Sequence, residues 1–145
     1  MTAPPILLIG SIGAGKTTFR QQLMGQEVDY AKTQAMEAFD GIIDTPGEYL
    51  EYGRFQRALH VAACDVDTIV LMIDPTSADS RIPPGFVSGF NKPAVGVVTK
   101  IDLATPEQIS TAEEQLRLAG AGRIFRVDSL TGDGFDDIRG ALCRT

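Results

Sequence analysis

The sequence predicts an α/β fold of three layers, a mainly parallel five-stranded sheet flanked by helices, and three observations lead there. Strand-like apolar runs recur at Ile6 to Ile9, Ile42 to Ile43, Asp67 to Asp74, Ala94 to Thr99 and Arg123 to Val127. Between them, apolar residues fall at helical spacing, as at Phe55, Leu59 and Ala62 or Ala63, and again at Ile109, Ala112 and Leu116. The first run ends on Gly10, which opens a Gly-x-x-x-x-Gly-Lys-Thr motif completed by Gly15, Lys16 and Thr17. With 145 residues, 43% of them hydrophobic and 22% charged, residues 1–145 suit one domain with an ordinary core.

The motif is a P-loop, and its spacing has a physical purpose. Polyphosphate needs several converging backbone N–H donors, and a chain lacking Cβ atoms at Gly10, Gly13 and Gly15 wraps closely enough to supply them. The intervening Ser11, Ile12 and Ala14 belong to the same cradle, and the helix that begins near Gly15 turns its positive end to the anion. Lys16 reaches the β- and γ-phosphates, the Thr17 hydroxyl is a Mg²⁺ ligand, and Thr18 can bond the α-phosphate. The helical pattern Phe19, Leu23, Met24 follows directly, the context this motif requires, and fades near Gly25. The alternative of a Gly-rich turn that merely joins a strand to a helix is set against the strand directly before this motif and the helical pattern directly after it.

Composition narrows the partners. A net charge of −6, with lysines and arginines scattered, gives no general attraction to nucleic acid or anionic lipid. No apolar run approaches membrane-spanning length, and residues 1 to 5 are too short for a signal peptide. A cytoplasmic protein with no nucleic-acid or membrane partner is therefore expected. Cys64 and Cys143 lack metal-ligand spacing and are expected in helices as reduced, packed thiols.

Residues 26 to 40 show neither period and read as a loop. Its Thr33 is a candidate to close over Mg²⁺ and the γ-phosphate, as one loop threonine does in P-loop switch proteins, and it is equally readable as an ordinary loop threonine. Ile42 and Ile43 then deliver Asp44 to the sheet edge where the P-loop opens, a place for a Mg²⁺-binding carboxylate. The Gly47 backbone N–H can meet a γ-phosphate. The interval from Thr33 to Asp44 is too short for a full antiparallel edge strand, so that strand should be missing or rudimentary.

Residues 48 to 64 turn helical and carry the sole histidine, His60, which reads as a surface or half-buried helix residue. The crossover at 75 to 93 is irregular, with one short helix placing Phe86 and Phe90 inward. Thr99-Lys100-Ile101-Asp102 closes the strand from Ala94. Guanine presents a ring N–H and an exocyclic amine side by side, which one carboxylate accepts together, so Asp102 favours GTP over ATP, with the Lys100 stem against the base and Thr99 standing where this motif often carries an asparagine. Thr105, Pro106 and Gln108 start an amphipathic helix that stops at Gly120. Phe135, Ile138 and Leu142 mark one face of a closing helix.

Five separated segments thus have the order of a small GTPase-like, TRAFAC-type domain. Gly10 to Thr18, Lys32-Thr33-Gln34-Ala35, Ile43 to Tyr49, Pro83-Pro84-Gly85-Phe86 and Val98 to Asp102 together resemble the EutP/PduV family over nearly the whole chain. The resemblance implies GTPase-like activity, with an acetate kinase activity also assigned within the family, and a link to bacterial microcompartment metabolism with a microcompartment or metabolic enzyme partner. It places Ser129 and Leu130 in the loop that offers a backbone N–H to the guanine carbonyl. It also sets Glu48 where Ras-like proteins carry a water-positioning glutamine, a candidate to orient the attacking nucleophile. Residues 1 to 5 leave no room for an encapsulation helix.

The expected function is Mg²⁺-dependent binding and hydrolysis of a purine nucleoside triphosphate, GTP or ATP, with Lys16, Thr33 and Glu48 as catalytic candidates and Thr17, Thr33 and Asp44 around the metal. Alternatives are a phosphotransferase acting on a carboxylate such as acetate, and a scaffold that holds nucleotide without hydrolysing it.

Overall fold

The computed structural model describes residues 6–10, 18–19, 37–39, 42–44, 56–77, 82–128, 131–132, 134–135 and 137–138. Among the described residues, six strands form one sheet: β1 (Ile6–Ile9), β2 (Glu37–Phe39), β3 (Ile42–Asp44), β4 (Thr68–Ile73), β5 (Ala94–Val98) and β6 (Arg123–Arg126), in the order β2-β3-β1-β4-β5-β6. The pairs β3·β1, β1·β4, β4·β5 and β5·β6 are parallel. β2 runs antiparallel to β3 and is three residues long. This is the rudimentary edge strand the short interval allows. It also corrects the loop reading at 37–39, because three residues are too few to display a two-residue period.

Alternation along the strands sorts side chains to two faces. Leu7, Ile9, Ile69, Leu71 and Ile73 pack with Leu59, Ala62 and Ala63 of α1 (Gln56–Ala63) and with Ala112, Leu116 and Ala119 of α2 (Pro106–Ala119). Ile6, Leu8, Val70, Met72 and Val97 pack on the other face with Phe19, Phe135 and Ile138, all helical positions. Helices thus cover both faces, and each fully buried Leu, Ile or Phe stabilises the fold by about 1.5–3 kcal/mol. Phe19 and Phe135, from opposite ends of the chain, meet with ring centroids 5.2 Å apart.

The start of α2 follows its sequence signals. Thr105 Oγ1 accepts from Gln108 N at 3.1 Å while Gln108 Oε1 accepts from Thr105 N at 2.9 Å, a reciprocal capping box with Pro106 at the first position. Gly120 ends the helix at φ 115°, and a Cβ there would come within 2.1 Å of Val87 Cγ2.

In the crossover between β4 and β5, Phe86–Gly89 form a 3₁₀ turn. Phe90 is buried and Phe86 half-buried, as the spacing predicts. His60 is exposed on α1 and stacks on Phe90, with centroids 4.2 Å apart and planes 11° off parallel. Cys64 is a correction: α1 stops at Ala63, so the thiol is exposed and not packed. Cys143 and Leu142 lie outside the described residues.

Candidate functional site

Because five strands are parallel, their carboxyl ends share one edge, and the loops leaving that edge are where an open α/β sheet binds ligand. Gly10 follows β1 and is buried there, while Thr18 and Phe19 are already helical. The strand and helix that must flank a P-loop are therefore both in place. Ser11, Ile12, Gly13, Ala14, Gly15, Lys16 and Thr17 lie outside the described residues. Asp44 is the last residue of β3 and is aligned with Leu8 of β1, two positions before Gly10. Hard oxygen donors such as a carboxylate suit Mg²⁺, and the register places Asp44 at the same strand-end edge as Gly10. Thr33, Gly47, Glu48, Ser129 and Leu130 lie outside the described residues.

Two strands along, the Thr99 to Asp102 segment leaves β5. Strands lie roughly 4.8 Å apart, so this exit is about 10 Å from that of β1, with β4 between them. Thr99 is 1% exposed, and its N and Oγ1 both donate to the carbonyl of Ile73, at 3.0 and 3.3 Å. It braces the turn from inside. Lys100 adopts the left-handed conformation at φ 53°, ψ 39°, and a 3₁₀ turn, Ile101–Leu103, then holds Asp102 exposed. Ile101 N donates to Val127 O at 3.4 Å, so this turn lies beside the loop that follows β6. In that loop, buried Asp128 accepts from Thr131 N at 3.4 Å. The Thr99 to Asp102 turn and the end of β6 at Val127 are thus adjacent.

Asp74 was not legible as a site residue, although an acid that ends an apolar strand before Pro75 and Thr76 is its one local sign. It is 4% exposed. Its Oδ1 accepts from Thr76 N at 2.9 Å and Thr76 Oγ1 at 2.6 Å, and its Oδ2 accepts from Lys100 Nζ at 2.9 Å. Burial pushes this carboxyl up, but the Thr76 bonds and the Lys100 ammonium outweigh it and hold the carboxyl below its ordinary value. A groove of about 500 Å³ runs from Asp74 along α2, lined by hydroxyls and amides of Thr76, Thr105, Thr111 and Gln115, with Glu107 at its side.

The profile of the family described as ethanolamine utilisation - propanediol utilisation, PduV-EutP, matches residues 4–143. This chain belongs to the PduV-EutP family. It is 41% identical over 133 residues to the propanediol utilization protein PduV of Citrobacter freundii, covering 92% of this chain and 89% of that one. It is 35% identical over 126 residues to the probable acetate kinase EutP of Escherichia coli K12, covering 86% and 79%. Among solved structures, the FeoB G-domain of Methanococcus jannaschii superposes with a TM-score of 0.67 at 19% identity, covering 97% of this chain and 96% of that one. The PduV-EutP chain therefore has the fold of a P-loop GTPase domain. Among its described residues, no helix is long and apolar enough to cross a membrane.

Proposed function

We propose that this protein is a Mg²⁺-dependent P-loop nucleoside triphosphatase that prefers GTP to ATP and works in ethanolamine or propanediol utilisation, in the cytoplasm or at a microcompartment. The observation that carries the reading is the shared sheet edge: the P-loop frame at Gly10 and Thr18 and the Lys100–Asp102 turn open on the same side, two strands apart. A nucleotide laid along that edge would have its phosphates in the P-loop and its base at Asp102.

Lys16 and the P-loop amides would stabilise charge gathering on the β- and γ-oxygens. Mg²⁺, held by Thr17 and Asp44 and joined by Thr33, would supply further charge neutralisation there. Gly47 would offer its N–H to the γ-phosphate, and Glu48 would orient the nucleophile. Asp102 would accept the two guanine donors, with Ser129 and Leu130 supplying the loop that faces the guanine carbonyl.

Transfer to a carboxylate such as acetate gains less support. It needs an acceptor pocket beside the γ-phosphate; of the two loops that could wall one, 26–40 lies largely outside the described residues, and 83–90 sits elsewhere. Gly85 N bonds Leu118 O at 2.8 Å, near the end of α2, which lies towards the amino edge of the sheet. The groove beside Asp74 carries Asp74 and Glu107 and no lysine or arginine among its lining residues, a poor host for a second anion.

The test is GTP with Mg²⁺ on wild type and Lys16→Ala, reading bound nucleotide and released phosphate, with acetate present and absent. Slow phosphate release that needs Lys16 and ignores acetate is expected. Acetyl phosphate as the product would replace hydrolysis by phosphotransfer, and binding with no turnover would leave a nucleotide-held scaffold.

A further inference from the structure

A lysine stem that serves as the floor of a base pocket is useful only if something holds it still, because its bonds rotate freely and its ammonium is drawn to phosphate. Lys100 is held. Its ammonium is on Asp74, a residue of the neighbouring strand end, while 41% of its side chain remains exposed. Asp74 cannot swing away: two bonds from Thr76 fix Oδ1, so Oδ2 keeps one direction, toward the end of β5. The backbone agrees, since an L-residue takes the left-handed conformation of Lys100 only where its surroundings enforce it. Thr99, bonded twice to Ile73, ties the base of the same turn to β4.

We infer that Asp74 is the positioning residue of the base pocket: it captures the Lys100 ammonium, lays the aliphatic stem as a fixed floor for a purine ring, and keeps that charge off the phosphates. The inference rests on the nucleotide reading above. Asp74 itself touches no nucleotide and acts through Lys100.

Calorimetry with two probes separates the possibilities: Mg²⁺-GTP, which has a base, and Mg²⁺-tripolyphosphate, which has none. Asp74→Asn should weaken GTP about tenfold and leave tripolyphosphate unchanged. Lys100→Ala should do the same, and the double variant should lose no more than either, because one unit has been broken. Thr76→Val, which loosens Oδ1 but keeps the ion pair, should show a smaller loss of the same kind and carries the test if Asp74→Asn does not fold. Equal losses for both probes, no loss for either, or additive effects with Lys100→Ala would each overturn the positioning role while wild type still binds. Wild type taking up neither probe would overturn the nucleotide reading, and this role with it.

Discussion

Leu116 of α2 lies directly over Gly96 of β5, so close that a Cβ on Gly96 would stand 2.9 Å from Leu116 Cδ1 and 3.1 Å from its Cβ. A helix seated this low on the sheet needs a residue without a side chain beneath it, and the seat fixes α2 and its preceding turn. Gly96→Ala is expected to cost about 1–3 kcal/mol by overpacking. Leu116→Ala is expected to cost about 2–5 kcal/mol by leaving a cavity. The double variant should cost less than the sum, since the alanine methyl fills part of the space; urea unfolding of all three checks this, and strict additivity would contradict it.

The cap of α2 gives a second prediction. Thr105→Ala removes the acceptor for Gln108 N and should cost about 0.5–2 kcal/mol. Thr105→Ser, which keeps an acceptor, should recover most of it in the same denaturation series.

Base preference is the sharpest functional prediction. Asp102→Ala should lower GTP affinity by about tenfold or more, because two hydrogen bonds to a charged acceptor are lost, and leave ATP affinity where it was. Competition binding with both nucleotides measures the ratio; an unchanged ratio would remove the guanine assignment and leave the P-loop reading standing.

Acid should act through Asp74. Its folded-state carboxyl lies below the ordinary 3.8, so its contribution to stability is complete above that value and is lost as pH falls through the lower, folded-state value. Wild type should therefore exceed Asp74→Asn in stability at neutral pH, with the gap closing from about pH 4 downward. The gap should be modest, because Lys100 is partly in water. Urea midpoints of the two proteins across that range would show it, and a gap that stays constant into acid would assign the stabilisation elsewhere.

His60 supplies a negative control. His60→Ala removes the stack on Phe90 and should cost about 0.5–1.5 kcal/mol while nucleotide affinity and turnover stay unchanged. A fall in turnover at unchanged stability would instead link His60 and Phe90 to the chemistry.

What the sequence reveals here divides by distance along the chain. The β1 frame of the P-loop and the capped start of α2 were legible because their signals are local: an apolar run meeting glycines, and Thr105 reading Gln108 three residues on. Asp74 was missed because its meaning comes from Lys100, 26 positions later, and no local pattern connects a strand-ending acid to a turn on the next strand. Cys64 was misplaced for a smaller reason. Ala62, Ala63 and Val66 already supply the buried face at the end of α1, so the thiol faces water one residue past the helix.

That thiol sits where α1 hands over to β4, at the amino side of the sheet and across the molecule from Lys100 and Asp102. A maleimide dye coupled there would give an optical handle remote from the nucleotide, so that a change in its emission on adding a candidate binding protein would report docking at the far side and not occupancy of the phosphate loop.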